Sequence, residues 1–153
     1  GRQMDMVRLG LGLYGITPRN DALIHNVSTL RTTILQIHDV PASETVGYSR
    51  RGRLERDSRI AALPIGYADG LDRLLGNGHA YCLVNGKKAP YVGNICMDVC
   101  MIDVTDIDCR EGDSAIIFGN DLPVSTLSDV IGTIPYEILT GVSPRVKRVY
   151  YKE

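Results

Sequence analysis

The dipeptide Asn85-Gly86 stands between two short apolar runs, 80–84 and 89–92, and it limits the local fold more than any other feature of the chain. Both central residues of a type I′ turn need a positive φ, and Asn-Gly is the pair that adopts this conformation most readily. Strand-like runs joined by such a pair are typical of a β-hairpin. The sequence therefore predicts two neighbouring antiparallel strands at this point.

Further segments with strand character occur along most of the chain. Alternating apolar residues predict a strand over 7–13, and a run rich in Thr, Ile and Leu predicts a long or bent strand over 28–40. Strands are also predicted over 59–64, 95–102, 113–118 and, as a closing strand, 145–151. Many short strands with long-range connections predict a mainly β fold, a closed antiparallel (Greek-key-like) β-barrel.

Two short helices are predicted near the C-terminus. The segment Thr126-Leu127-Ser128-Asp129 resembles a capping box, and Gly132 would end the helix that it begins. Pro135 suits the first turn of a second helix, which Gly141 would terminate. We therefore expect small helices attached to the barrel.

Composition and charge exclude several classes of function for this chain of 153 residues. A net charge of −1 gives no reason to expect nucleic acid or an anionic membrane as a partner. No apolar run approaches the roughly 18 residues that span a bilayer, and no signal-peptide pattern begins the chain, so we expect a cytoplasmic protein. Segment 50–59 holds five arginines, but acids dilute them and no aromatic residue interleaves them, which favours a solvated hairpin over a nucleic-acid arm.

The four cysteines raise the question of a metal site. If 95–102 is one strand, Cys96 and Cys100 lie roughly 13 Å apart. Two sulfurs on one zinc ion lie no more than about 4.6 Å apart. Cys82 and Cys109 are isolated, and the three histidines form no pair. We expect small buried thiols and no metal site.

Few residues are candidates for catalysis on their own. The chain has no Ser-His-Asp set and no phosphate-binding GxxxxGK[ST] loop. A tyrosine can act as a general acid or base, but its ordinary pKa of about 10 means that it needs help from a neighbouring cation. Taken alone, Tyr48 is more typical of a packing residue than of a base.

Short motifs in a set order change this interpretation. They are Met6-Val7-Arg8-x-Gly10, Val46-Gly47-Tyr48, Gly66-Tyr67-Ala68-Asp69-Gly70, Gly93-Asn94-Ile95-Cys96-Met97-Asp98, Ile134-Pro135-Tyr136-Glu137 and Ser143-x-Arg145-Val146. Tyr48 precedes Tyr67 by 19 residues, and Met97 follows Tyr67 by 30. The combination strongly resembles the alanine racemase family over nearly the whole chain. The resemblance implies that 15–153 form its C-terminal β domain and that 1–14 are the last strand of a (β/α)8 barrel that carries pyridoxal 5′-phosphate (PLP).

The resemblance implies a role for each matching residue. Tyr48 matches the tyrosine base that exchanges the α-proton on one face of the substrate, and Met97 matches a position whose backbone contacts the substrate carboxylate. The corridor to the cofactor is matched by Tyr67, Asp69, Arg73 and Asp98. The cofactor contacts are matched by Arg8 at the pyridine nitrogen and by Gly10 and Leu11 at the phosphate.

The resemblance also implies a homodimer in which each site is shared between two subunits. A lysine on the opposite face of the substrate is the second base, and it matches none of Lys87, Lys88, Lys147 and Lys152. Tyr48 and Met97 would then serve the partner's PLP, and Arg8 and Gly10 the chain's own. We expect the isolated chain neither to bind PLP tightly nor to racemise alanine, and measurable turnover by it would contradict this expectation.

Two positions depart from the family pattern. Pro144 stands where many members have a tyrosine that donates to the cofactor phosphate, and Asn94 stands where a corridor arginine is common. The implied function is the interconversion of L- and D-alanine for peptidoglycan synthesis. The alternatives are a racemase for serine or another small amino acid and a β-barrel interaction module without chemistry of its own; related PLP-dependent decarboxylases differ around their active cysteine.

Overall fold

The computed structural model describes residues 5–17 and 24–151. Within these ranges the strands are β1 (Leu30–Thr33), β2 (Gln36–Val40), β3 (Thr45–Val46), β4 (Gly52–Arg53), β5 (Ser58–Leu63), β6 (Tyr81–Val84), β7 (Lys87–Val92), β8 (Cys100–Asp103) and β9 (Ser114–Phe118). The α-helices are α1 (Val124–Ile131) and α2 (Pro135–Gly141). Short 3₁₀ turns occupy Leu11–Tyr14, Tyr48–Arg50, Tyr67–Asp69 and Arg73–Leu75.

One antiparallel sheet of seven strands forms the body of the protein, in the order β1-β9-β6-β7-β8-β5-β2. The chain passes from one edge of this sheet to the other within two residues. The amide of Ile34 donates to the carbonyl of Asp113, the residue just before β9, and the amide of Leu35 donates to the Ala62 carbonyl in β5, each at 2.9 Å. The segment 28–40 is therefore a bent strand, as the sequence predicts.

The sheet is a half-barrel, and the predicted closed barrel is wrong. β1 and β2 lie at the two edges, and no ladder of hydrogen bonds joins them in the part of the chain that the structure describes. They are consecutive pieces of one bent segment, and each pairs with a different neighbour, β1 with β9 and β2 with β5. The mainly β class, the antiparallel pairing and the two helices are confirmed.

The predicted hairpin is confirmed as β6 and β7, with Val84 opposite Lys87. Asn85 has φ 49° and Gly86 has φ 75°, the positive values that a type I′ turn needs. The Lys88 ammonium lies 4.6 Å from the centre of the Tyr81 ring, a cation–π contact across the same pair of strands. Local turn chemistry therefore sets the register of the central strands.

The strands predicted at the two ends of the chain are absent from the described residues. The segment 5–10 has no strand partner and exposes Val7 and Leu9, and the chain then forms a 3₁₀ turn that packs Tyr14 edge-on against Tyr136 at 5.9 Å. The predicted closing strand over 145–151 is not observed: the Val146 amide donates to the Ser143 carbonyl in a turn, and Arg148 donates to the carbonyls at 142, 143 and 146. Alternation in sequence gives no strand where no partner edge is available.

The predicted strand over 95–102 is wrong in its first half. The amide of Cys96 donates to the Val99 carbonyl at 2.9 Å, so the chain turns there, and β8 begins only at Cys100. The distance argument against a metal ion shared by Cys96 and Cys100 therefore does not apply. All four thiols are buried, as predicted, and burial raises the pKa of Cys82 to about 12.

The two helices lie close to their predicted positions. α1 begins at Val124, two residues before the predicted capping box, because Pro123 at its N-cap already holds a φ of −57°. It ends at Gly132 with φ 73°, as predicted, and α2 runs from Pro135 to Gly141. None of the helices among the described residues has the length and apolar character that crossing a membrane requires.

The core lies inside the curve of the sheet and is covered by α1. Its largest fully buried side chains include Ile34, Leu63, Tyr91, Ile102, Ile117 and Leu127. Residues outside the strands belong to the same cluster, namely Ile65, Leu71, Leu75 and Ile95. These four anchor the two irregular segments around 64–76 and 93–99, because each buried aliphatic side chain contributes about 1.5–3 kcal/mol relative to an exposed one. Irregular backbone is thereby held in a defined position beside the sheet.

The arginine-rich segment 50–59 divides into two parts. Arg50, Arg51, Arg53 and Arg56 are exposed, as a solvated segment predicts, but only 50–53 belong to a hairpin, the one formed by β3 and β4. Arg59 lies in β5 and donates to the carbonyls of Ile107 and Cys109. Only the first part of the segment is therefore a solvated face.

Candidate functional site

A loop of residues 93–98 between β7 and β8, called here the central loop, organises the site. Ile95 is 1% exposed and packs in the core, and the Cys96 thiol donates to the Asn94 carbonyl at 3.6 Å. Met97 is 54% exposed. The buried residues hold the loop, and Met97 is presented to solvent.

The segment 66–70 is bound to the central loop through its backbone. The amides of Tyr67 and Ala68 donate to the carbonyls of Cys96 and Met97, each at 3.0 Å. A Cβ on Gly66 would lie 2.3 Å from both carbonyl oxygens, which is closer than real Cβ atoms approach. Only glycine allows the two segments to lie this close, and this explains the glycine before Tyr67.

The turn that carries Tyr48 also contacts the central loop. Tyr48 lies in the 3₁₀ turn between β3 and β4 and is 74% exposed. The Asn94 side-chain amide donates to the Tyr48 carbonyl at 3.4 Å, and its oxygen accepts from the Asn77 side chain at 3.1 Å. Ser49 has a left-handed backbone, φ 59°, which costs a non-glycine residue about 1–2 kcal/mol. The turn is therefore held in a strained conformation with the Tyr48 ring pointing to solvent.

An ion network connects these segments to the residues after α2. Arg145 donates through Nε to Asp69 Oδ1 at 2.6 Å and through Nη2 to Asp98 Oδ1. The other Asp69 oxygen accepts from the Gly66 amide at 2.9 Å. The hydrogen bond from Arg145 is the largest effect that lowers the pKa of Asp69, while partial desolvation opposes it, and the two carboxylates raise the pKa of Arg145. Asp69 is therefore ionised and Arg145 charged at neutral pH.

The residues that the sequence predicts for substrate and corridor are gathered around the central loop. They are Tyr48, Tyr67, Asp69, Arg73, Met97 and Asp98. Arg73 joins the group through Tyr67, since its guanidinium carbon lies 6.0 Å from the centre of that ring. The side chains of Tyr48, Tyr67 and Met97 are all exposed. Their roles in substrate and corridor contacts remain predictions.

The predicted cofactor residues lie in the N-terminal segment, which packs against α2. Arg8 is exposed, Gly10 precedes the first 3₁₀ turn, and Leu11 begins that turn. A Cβ on Gly10 would lie 3.1 Å from the Tyr136 hydroxyl of α2, so the segment packs closely on that helix. The cofactor roles of these residues are predictions as well.

Sequence reasoning gave Arg145 no role, although the structure places it at the centre of the ion network. It lies 76 residues from Asp69 and 47 from Asp98, so no local spacing indicates the pairing. The only signal was its place in the motif Ser143-x-Arg145-Val146. Asn94 was likewise recognised only as a departure from the family pattern, and its hydrogen bonds to Tyr48 and Asn77 appear first in the structure.

The lowered pKa of Asp69 predicts a specific pH dependence of stability. The folded chain binds this proton less tightly than the unfolded chain, whose Asp pKa is about 3.9. The group therefore stabilises the fold above that value, and the contribution is lost as the pH falls through the folded-state pKa. We expect the free energy of unfolding to fall below about pH 5, and Asp69→Asn to make the curve flatter there. Urea unfolding of the chain at several acidic pH values measures this, with the exposed Asp121→Asn as control; parallel curves for wild type and Asp69→Asn would contradict it.

Comparison with known proteins shows the family to which the chain belongs. The family profile described as "Alanine racemase, C-terminal domain" matches residues 27–150. Alanine racemase 2 of Caldanaerobacter subterraneus subsp. tengcongensis is 44% identical over 158 aligned positions, which cover 96% of this chain and 40% of that protein.

Solved structures give the same result. Alanine racemase from Bartonella henselae, solved with covalently bound pyridoxal phosphate, superposes with a TM-score of 0.88 at 36% identity, over 93% of this chain and 40% of that one. Alanine racemase from Streptomyces coelicolor A3(2) superposes with a TM-score of 0.89 at 30% identity, over 96% of this chain and 41% of that one. The chain thus spans about 40% of the length of these relatives. On the family profile, the sequence identity and the fold together, the chain belongs to the alanine racemase family and corresponds to its C-terminal domain.

Proposed function

We propose that this chain supplies one half of the active site of a PLP-dependent alanine racemase, which interconverts L- and D-alanine. The observation that carries the proposal is the central loop: it binds the turn of Tyr48 through Asn94 and the segment of Tyr67 through two backbone hydrogen bonds. A predicted base, a predicted corridor residue and the predicted substrate contact at Met97 thus share one structural support. A chain with no chemistry of its own gives no reason for this convergence.

The residues of this half-site have distinct tasks in the proposed reaction. The Tyr48 hydroxyl takes a proton from the α-carbon, or returns one to it, on one face of the substrate. The backbone at Met97 receives the substrate carboxylate and orients the α-carbon toward Tyr48. Tyr67 and Arg73 form the entrance, where the aromatic ring limits the size of the amino acid and the guanidinium attracts its carboxylate.

The residues of the N-terminal segment are compatible with PLP, which is known to be bound in the Bartonella relative. Arg8 is an exposed cation, and Gly10 lacks the Cβ that would narrow the approach to its backbone beside Tyr136. Arg8 would donate to the pyridine nitrogen, and the backbone of Gly10 and Leu11 would hold the phosphate. When bound, PLP supplies the electron sink that makes the α-proton acidic. Pro144 offers neither a hydroxyl nor an amide proton, so it contributes no donor to the phosphate.

The second base is proposed to come from outside this chain. Lys87 donates to the Asp106 carbonyl, and Lys88 lies over Tyr81, both on the β6–β7 hairpin. Neither lysine belongs to the group around the central loop. Because the chain spans 40% of its relatives, we propose that a PLP-binding barrel carries the lysine and that two subunits complete each site in a cytoplasmic homodimer. Its D-alanine would serve peptidoglycan synthesis.

The test is an assay of the full-length protein that contains this chain, supplied with PLP. We expect conversion of L-alanine to D-alanine and of D-alanine to L-alanine, followed by chiral chromatography, with slower turnover of serine because the entrance at Tyr67 favours the smaller side chain. Faster turnover of serine than of alanine would change the proposed substrate to serine, and the proposed reaction, racemisation, would stay the same. Absence of racemisation of either amino acid by a folded, PLP-loaded protein would overturn the proposal in favour of an interaction module.

A further inference from the structure

Arg145 joins two segments of the site that are far apart in sequence. Its Nε donates to Asp69, in the Tyr67 segment, and its Nη2 donates to Asp98, beside Met97 in the central loop. A guanidinium presents several N–H donors in a fixed plane, so one side chain can hold two carboxylates at a set separation. The geometry is that of a bridge between the predicted corridor and the predicted substrate contact.

The Asp69 end of this bridge is rigid. Asp69 is 9% exposed, its second carboxylate oxygen accepts from the Gly66 amide, and its backbone carbonyl accepts from the Ser143 amide at 3.0 Å. A buried carboxylate must be paired, and a charge-assisted hydrogen bond of 2.6 Å is of the strong kind. The position of Arg145 is therefore fixed by the folded core of the domain.

The Asp98 end is held less firmly than the Asp69 end. The Asp98 side chain is 60% exposed, and in the described part of the chain Arg145 is its only ion-pair and side-chain hydrogen-bond partner. Exposed ion pairs contribute little to stability, typically about 0.2–1 kcal/mol. The contact with Asp98 therefore contributes little to the stability of the fold, and its main effect is to fix the position of the end of the central loop.

We propose that Arg145 is a positioning residue, which clamps the central loop to the Tyr67 segment and so fixes where the Met97 backbone lies. The clamp rests on the contacts above, and its consequence for catalysis rests on the proposed function. It acts together with the hydrogen bonds from the Tyr67 and Ala68 amides to the Cys96 and Met97 carbonyls. Loss of the arginine lets the two segments separate, and the substrate carboxylate then meets a displaced backbone.

Amide hydrogen exchange in the chain of 153 residues tests the clamp without cofactor or substrate. We expect Arg145→Gln to speed exchange at the Tyr67 and Ala68 amides about tenfold, because a charge-assisted bond no longer opposes opening. The Tyr91 amide, which donates to Ala80 in the hairpin, is the internal reference and keeps its rate. The matched control is Arg56→Gln, which removes the exposed pair with Asp106 far from the loop and leaves all three rates unchanged.

Unchanged exchange at the Tyr67 and Ala68 amides in Arg145→Gln overturns the clamp. Equal acceleration at all three amides also overturns it, because it shows a general loss of stability. If Arg145→Gln does not fold, Asp98→Ala gives the decision, since it removes only the exposed contact. That variant is expected to speed the two amides about threefold, and an unchanged rate there overturns the clamp.

The catalytic consequence is measured in the full-length protein. Displacement of the Met97 backbone weakens substrate binding, so we expect Arg145→Gln to raise the KM for alanine about tenfold while kcat falls less than about threefold. An unchanged KM with a reduced kcat overturns the positioning role. If the wild-type protein has no racemase activity, the proposed function fails, and the exchange rates still decide whether Arg145 clamps the loop.

Discussion

Replacement of Tyr48 by phenylalanine in the full-length protein is expected to lower the rate of alanine racemisation by about 10³-fold, within the range that a lost general base produces. The ring stays and only the hydroxyl is removed. Tyr48 is 74% exposed, and its contact with Asn94 uses the backbone carbonyl, which the substitution keeps. The loss is therefore expected in kcat, with the melting temperature unchanged.

The effect of Tyr48→Phe must also depend on the face of the substrate. If Tyr48 serves one face and a lysine the other, the variant still has the lysine. In deuterium oxide it therefore exchanges the α-proton of the enantiomer that the lysine deprotonates, and it does not exchange the α-proton of the other enantiomer. Proton NMR of L- and D-alanine in separate samples measures this. Tyr81→Phe is the matched control, because that tyrosine lies in the β6–β7 hairpin and is expected to leave both rates unchanged. Equal residual exchange of the α-proton in both enantiomers would show that Tyr48 is not the base.

Replacement of Gly66 by alanine is expected to damage the fold and the site together. The new Cβ would lie 2.3 Å from the carbonyl oxygens of Cys96 and Met97, and backbone atoms cannot move aside as a flexible side chain can. Overpacking of this kind costs about 1–3 kcal/mol or more. The two segments must separate, so the hydrogen bonds from the Tyr67 and Ala68 amides are lost as well. We expect a loss of about 3 kcal/mol in the free energy of unfolding.

Urea unfolding of the chain measures this loss, and alanine racemisation by the full-length protein measures the effect on the site. Gly66 has φ −150°, an extended backbone that any residue can adopt. A loss of stability in the alanine variant therefore comes from the steric clash with the central loop and not from backbone strain. Gly141→Ala is the matched control, since nothing lies within 4 Å of a Cβ at that position and no positive φ is involved. Comparable stability of the Gly66 and Gly141 variants would show that the two segments are not tightly apposed.

Local chemistry explains the parts of the fold that the sequence predicts well. Asn85-Gly86 sets the central hairpin because both residues accept positive φ, and Gly132 ends α1 for the same reason. Pro135 begins α2 because its missing amide proton is not needed in the first helical turn. In each case the information lies within a few residues.

The predictions that failed share a different cause. They concern segments whose structure depends on partners elsewhere in the chain. The run 95–99 is apolar because Ile95 and Cys96 are buried beneath a turn, and composition alone does not separate a buried loop from a buried strand. The alternation at 7–13 matches a strand but finds no neighbouring edge among the described residues. The prediction of a closed barrel failed because β1 pairs with β9 and β2 with β5, and no ladder joins β1 to β2 among the described residues.

The grouping of the candidate residues was predictable from motif order and not from local physical signals, and their functional roles stay predictions. The spacing of Tyr48, Tyr67 and Met97 indicated three related segments, and the structure connects all three to the central loop. Two features that make these contacts possible were not predicted: the missing Cβ of Gly66 and the hydrogen bond from the Asn94 side chain. Arg145 was missed because its partners are distant in sequence, and an ion network of this kind has no local pattern.

The two-residue bend at Ile34 and Leu35 has a consequence for how the chain is made. β1 pairs with β9, with Leu30 opposite Phe118, so the first described strand of this domain to leave a ribosome waits for the last described one. At roughly 5–20 residues per second, the interval between their synthesis is on the order of ten seconds. During that time β1 is an unpaired edge, the kind of surface that invites pairing with other nascent chains. The bend that joins both edges of the half-barrel therefore also delays its assembly until nearly the whole domain has emerged.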